Sequence, residues 1–153
     1  MNTGMISLID NNSSEPIYTL AVASKLSSVP SHSIRQYIDK GLIIPFKTNT
    51  SRHLFSKVDV RRLKRIRKYL QDQGLNIAGI NALFSIIPCW IMRSCDMEDR
   101  LECDAYTSIK SPCWTASQKG FLCRNTDCRI CEVYRLPEKC SGPKEFIKEI
   151  TNT

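Results

Sequence analysis

The sequence predicts a mainly α-helical fold in two parts: four short helices with a small β-wing, then a small, irregular, cysteine-rich metal-binding module. Three observations predict it. Apolar residues in the first half recur at helical spacing between clear start and stop residues. The formal charge of +7 is uneven: residues 17–87 carry twelve Lys/Arg against three Asp, while residues 88–153 carry ten of each sign. All eight cysteines lie in the second half, beginning at Cys89. The expected segments are a flexible tail over residues 1–16, a helical domain over 17–87, a cysteine module over 88–140, and a C-terminal tail with a short helix over 141–153.

At 153 residues the chain suits one ordinary domain or two small ones, not a large enzyme core. Residues 1–16 are polar, with no apolar stretch of signal-peptide type, and no apolar run spans a bilayer. A cytoplasmic protein without membrane contact is expected. No Ser/His/Asp set, phosphate-cradling glycine loop or histidine-supported carboxylate pair stands out, so no enzyme is expected.

Thr19 is placed to cap a helix over residues 20–27 that buries Val22, Ala23 and Leu26. Ser27-Ser28-Val29-Pro30 makes a tight connection, and Ser31 caps a second helix with Ile34, Tyr37 and Ile38 on one face. Gly41 ends it, as a residue free to take positive φ should. Two short helices joined by a turn of about four residues make a helix-turn-helix. Extended Leu42–Pro45, a polar loop over Thr48–Arg52 and a Leu54-Phe55 return read as the wing. Ser56 with Asp59 resembles a capping box for a third helix reaching about Gln73, with Leu63, Ile66 and Leu70 buried and Gly74 as its stop. Asn76 caps a fourth, with Ile77, Ile80, Leu83, Phe84 and Ile87 on one face until Pro88.

These residues, taken in order, carry a resemblance. Ile17-Tyr18-Thr19-Leu20, Ser33-Ile34-Arg35-Gln36-Tyr37, Gly41-Leu42-Ile43, Ser51-Arg52-His53-Leu54-Phe55-Ser56 and Gly74-Leu75-Asn76-Ile77-Ala78-Gly79-Ile80 resemble the DNA-binding domain of MerR-family regulators over roughly residues 17–86. The resemblance implies a second helix in the major groove and a wing along the backbone or minor groove of double-stranded DNA. It implies that Ser31, His32, Ser33 and Gln36 face base edges, that Arg35 and Tyr37 hold phosphates, and that Arg52 and His53 sit on the wing. The chemistry suits these roles: Gln pairs with adenine, and Arg neutralises phosphate. Tyr37 is equally placed to be core, on the Ile34/Ile38 side. The run Arg61, Arg62, Lys64, Arg65, Arg67 and Lys68 reads as a solvated helix face.

In dimeric members of that family a long antiparallel helix follows the fourth. Here Pro88-Cys89-Trp90 follows at once, without a heptad run. Either the cysteine module makes a homodimer contact or monomers bind DNA side by side; RNA polymerase is a further candidate partner.

The cysteine segment repeats itself. Pro88-Cys89-Trp90 recurs as Pro112-Cys113-Trp114, and Cys103-Asp104-Ala105-Tyr106 recurs as Cys131-Glu132-Val133-Tyr134. This arrangement resembles small bacterial modules with two Cys-Trp repeats, a resemblance that does not say what is bound. In a reducing compartment clustered cysteines bind metal or do redox chemistry. Cys89, Cys95, Cys103, Cys113, Cys123, Cys128 and Cys131 are the expected ligands of an iron–sulfur cluster or of zinc. Cys123-x4-Cys128-x2-Cys131 has the leading spacing of plant-type [2Fe–2S] ligation, without its distant fourth ligand. Reversible disulfides and unligated core thiols are the alternatives, and Cys140 reads as an exposed non-ligand. The readings of function are a regulator sensing redox state or metal, a regulator with a structural zinc, and an electron-transfer protein that docks through the helix-turn-helix.

Overall fold

The structure, a computed structural model, describes residues 13–152; residues 1–12 of the expected N-terminal tail lie outside the described residues, as does Thr153. The described chain is mostly helical with one two-stranded sheet, and it divides into two compact units after Arg67.

In the first unit, α1 (Leu20–Ser27) is capped by Thr19, whose Oγ1 accepts from the Val22 N–H at 3.3 Å. Its buried residues are Ala23 and Ser27. Val22 and Leu26, expected inside, are 42% and 46% exposed. The face turns with Ser27, which buries its hydroxyl by donating to the Ala23 carbonyl at 2.7 Å. Ser28 closes the helix at φ 60°, and Val29 tucks in at 1% exposure.

Helix α2 (Ser31–Asp39) has Pro30 as its N-cap, with no side-chain cap bond; Ser31 is the first helical residue, not the cap. Pro30 presets the extended entry and, lacking an N–H, needs no acceptor. Ile34 and Tyr37 are buried, and Gly41 leaves the helix at φ 75°, where a Cβ would be strained. Strands β1 (Phe46–Lys47) and β2 (His53–Leu54) pair antiparallel, Phe46 against Leu54 and Lys47 against His53. Thr48 ties the wing loop, its Oγ1 accepting from the Arg52 N–H at 3.1 Å. Phe55 and Tyr18 exchange backbone hydrogen bonds at 2.8 Å, an isolated bridge that anchors the base of the wing to the segment before α1.

Helix α3 (Lys57–Gln71) opens on a reciprocal capping box: the Ser56 N–H donates to Asp59 Oδ2 at 2.8 Å, and the Asp59 N–H donates to Ser56 Oγ at 3.1 Å. Val58, Val60, Leu63 and Ile66 are buried. Arg62, expected on a solvated face, is fully buried, and its Nε donates to the Leu42 carbonyl at 2.8 Å. The guanidinium satisfies a backbone acceptor just past Gly41 that no helix or strand bond reaches.

In the second unit, α4 (Ile77–Ser85) starts at Asn76, whose Oδ1 accepts from the Gly79 N–H at 2.7 Å. Ile80, Leu83, Phe84 and, just past the helix, Ile87 are buried. Phe84 heads an aromatic cluster: its ring lies 6.2 Å from Tyr69, 5.7 Å from Trp114 and 6.3 Å from Phe146. Thus α4 shares its core with the cysteine segment. Phe146 comes from α10 (Pro143–Thr151), so the expected C-terminal tail is a helix with one fully buried anchor.

Between α4 and α10 the chain makes one-turn helices: α5 (Cys89–Met92), α6 (Met97–Leu101), α7 (Asp104–Thr107), α8 (Phe121–Arg124) and α9 (Glu132–Arg135), with 3-10 turns at Cys113–Thr115, Cys128–Ile130 and Leu136–Lys139. The sequence repeat is a structural repeat. Pro88 and Pro112 are N-caps of turns that begin with Cys89 and Cys113; Cys103 and Cys131 are N-caps of one-turn helices that carry Tyr106 and Tyr134. In each copy the Trp meets that Tyr edge to face, Trp90–Tyr106 at 5.2 Å and Trp114–Tyr134 at 5.1 Å, both at 88°. Among the described residues no helix is long and apolar enough to cross a membrane.

Candidate functional site

The chemistry-bearing residues fall into two sets, one in each unit. In the first, the start of α2 and the wing bring Ser31, Arg35, Arg52 and His53 to the wall of one open depression, completed by Thr19, Leu20 and Ala21 at the start of α1. Two guanidinium groups and a hydroxyl around an open polar hollow suit a phosphate-bearing ligand. His32 and Gln36 are exposed on α2, and Ser33 is half-buried beside them. Tyr37 departs from this surface. It is 5% exposed, and burial pushes its phenol above the ordinary value while the nearby Arg67 charge partly offsets the rise. Its ring belongs to the core, as the spacing with Ile34 allowed.

In the second unit the thiols gather around two small cavities. One is lined by Cys89, Cys113, Cys123, Cys128 and Cys131 with Arg93, Lys119, Trp114 and Tyr134. The other is lined by Cys89, Cys95, Cys103 and Cys123 with Asp99, Arg100, Trp90 and Tyr106. All seven expected ligand cysteines are therefore placed on these two cavities. All eight thiols are free, and among the described residues no three Cys, His, Asp or Glu side chains already stand as a closed metal cage.

The thiols feel one another. Cys113 donates a hydrogen bond to Cys89, and this pulls Cys89 down to about 7 against the burial that opposes it; N–H groups at Cys89 and Trp90 and the Arg100 charge add to the fall. Cys113 moves strongly up, because it gives that hydrogen bond, is desolvated, and lies near Cys89, Cys131 and Cys128. Burial pushes Cys123 up to about 11, with Cys95, Cys89 and Cys103 adding to the rise and Arg93 opposing it. Burial also raises Cys95, with contributions from Cys89, Cys103 and Asp99. Burial thus favours the protonated thiol at Cys95, Cys113 and Cys123, whereas the hydrogen bond from Cys113 favours the thiolate at Cys89.

Cys140 is not the exposed thiol its Ser-Gly-Pro surroundings suggest. It is fully buried, and its carbonyl accepts from the Tyr69 hydroxyl at 3.0 Å. It lines neither thiol cavity. The basic residues around the thiols lacked a sequence signal altogether. Lys119 Nζ donates to Cys128 Sγ at 3.4 Å, and Arg93 Nη2 donates to Thr126 Oγ1 at 2.9 Å across 33 positions of sequence.

Residues 18–85 match the model of the family described as MerR HTH family regulatory protein. The chain is 32% identical over 71 residues to the putative heat shock protein HspR of Streptomyces coelicolor, covering 46% of this chain and 47% of that protein. It is 37% identical over 71 residues to the HTH-type transcriptional regulators GlnR of Bacillus anthracis and Bacillus cereus, covering 46% of this chain and 54% of each. The chain thus spans about half the length of the curated relatives it matches. The match ends at residue 85, before the first cysteine. With its two-helix turn, wing and capped third and fourth helices, the segment of residues 18–85 is a MerR-family helix-turn-helix domain.

Proposed function

We propose that this protein is a sequence-specific DNA-binding transcriptional regulator whose cysteine module holds a metal or iron–sulfur centre and reports its state to the DNA-binding domain. The observation that carries the DNA-binding part is the convergence of Ser31, Arg35, Arg52 and His53 on one open face, in a unit with a surplus of positive charge. The relatives' names as transcriptional regulators support it. In this reading α2 enters the major groove. Ser31, His32, Ser33 and Gln36 read base edges, Arg35 neutralises a phosphate, and Arg52 with His53 grips the backbone from the wing. Two half-sites would be filled by a homodimer or by monomers side by side.

The centre would be held by thiolates alone, the donor set of zinc or an iron–sulfur cluster. Coupling has a physical basis within the second unit. Helix α4 belongs to the family-matched segment by sequence, yet its Phe84 packs on Trp114 of the second Cys-Trp turn. Cys89 follows α4 within four residues of Ser85. Filling or emptying the thiol site changes the core that α4 rests on.

The test is recovery of a preferred duplex by binding selection with the full chain, followed by affinity measurement on that duplex. Gln36→Ala should weaken binding by about 1–3 kcal/mol and relax preference at one base pair. Retention on heparin with no preferred duplex would refute the proposal and support a protein-docking role for the helix-turn-helix.

A further inference from the structure

The two thiol cavities have an arithmetic of their own. One cavity is lined by four cysteines, Cys89, Cys95, Cys103 and Cys123, and the other by five, Cys89, Cys113, Cys123, Cys128 and Cys131. Together the cavities use seven cysteines, because two of them, Cys89 and Cys123, line both. Cys123 completes the four of the first cavity, and Cys89, hydrogen-bonded to Cys113, is the shared thiol that completes four with Cys113, Cys128 and Cys131 in the second. Each set takes three cysteines from one copy of the internal repeat and one from the other: Cys123 joins Cys89, Cys95 and Cys103, and Cys89 joins Cys113, Cys128 and Cys131.

Resting on the reading that the module holds a metal centre, we propose that the centre is two divalent, zinc-type ions. Cys89, Cys95, Cys103 and Cys123 hold one, Cys89, Cys113, Cys128 and Cys131 hold the other, and the Cys89 thiolate bridges them. Two tetrahedral ions require eight sulfur contacts, and seven cysteines supply eight when one sulfur is shared. The cavities are each about 20 Å³. A small cavity walled by four thiols suits a single tetrahedral ion.

Charge follows the same count. Each ligating thiol gives its proton to solvent, and seven thiolates against two divalent cations leave a net −3. Three cationic side chains line the cavities, Arg93 and Lys119 at one and Arg100 at the other. Lys119 already donates to Cys128, and Arg93 Nε is buried without a hydrogen-bond partner. Asp99, which lines the Arg100 cavity, is the acidic exception. The thiols must still rotate inward to close the cages, which Cys95, Cys113, Cys123, Cys128 and Cys131 can do because they are only half-buried.

The test is cobalt titration of the reduced, metal-free full chain under anaerobic conditions, read by absorption and electron paramagnetic resonance. Thiolate-to-cobalt absorption should rise to a break at two equivalents. The paramagnetic signal should grow to one equivalent and shrink toward two, because a shared thiolate couples the two ions antiferromagnetically. Cys95→Ser and Cys128→Ser should each bind one equivalent with an undiminished signal, and Cys140→Ser should still bind two. Saturation at one equivalent, two equivalents without loss of signal, or acid-labile sulfide in the anaerobically purified protein would overturn the shared-thiolate pair. Those outcomes leave the regulator reading standing, since that reading fails only in the DNA measurements.

Discussion

Truncating Phe84 to Ala tests whether α4 and the cysteine segment share one core. The Phe84 side chain is 1% exposed and has three ring neighbours within 6.3 Å, Tyr69, Trp114 and Phe146. Burying such a side chain is worth about 1.5–3 kcal/mol, and each ring pair adds roughly 0.5–1.5 kcal/mol. The cavity left behind brings the expected loss for Phe84→Ala to about 3–5 kcal/mol. Ile86, two positions on, is 49% exposed, so Ile86→Ala should change stability by no more than about 0.5 kcal/mol. Urea titration followed by tryptophan fluorescence reads both, because Trp114 touches Phe84 directly. A loss under about 1 kcal/mol for Phe84→Ala, or an equal loss for Ile86→Ala, would refute the shared core.

Three further outcomes follow from individual contacts. Ser56→Ala removes one arm of the buried capping box and should cost about 1 kcal/mol in thermal or urea unfolding, while Ser56→Thr should keep most of it. Arg52→Ala should weaken binding to unrelated duplexes equally and lower the salt slope by about one phosphate contact, measured as log affinity against log salt. Stripping metal with a chelator should lower the stability reported by Trp114 fluorescence in urea unfolding.

The helices were legible in the sequence wherever a short polar side chain had a local job. Thr19, Asn76 and the Ser56/Asp59 pair each satisfy an N–H three residues away, so spacing alone identifies them. Stops were equally plain, since Gly41 and Gly74 take positive φ where most side chains would be strained. Ser31 shows the limit. A serine before an apolar run has the form of a cap, but Pro30 had already fixed the extended entry. Burial was harder, because it is decided by partners distant in sequence. Leu26 and Val22 have core-like chemistry and sit on an exposed face; Arg62 has surface chemistry and is buried on the Leu42 carbonyl.

The thiol site was legible as a set and not as an arrangement. The Cys-Trp repeat named seven cysteines, and all seven line the two cavities. Nothing local told how they divide, because Cys89 and Cys123 each border both cavities. Arg93, Lys119 and Arg100 were invisible for the same reason: a lysine nine residues from Cys128 has no spacing rule that brings it to the sulfur. Cys140 misled because Ser141-Gly142-Pro143 reads as a loop, whereas Cys140 is buried and its carbonyl is held by the Tyr69 hydroxyl, 71 positions away.

The proposed function makes the thiol centre and the DNA-binding domain one thermodynamic system. It is tested most directly by fluorescence anisotropy of a single selected duplex with the metal-loaded chain and the reduced, stripped chain at identical salt. Coupling of about 1–3 kcal/mol predicts affinities that differ by roughly 5- to 150-fold. Equal affinity for the two forms would contradict the account and leave the metal a folding element alone.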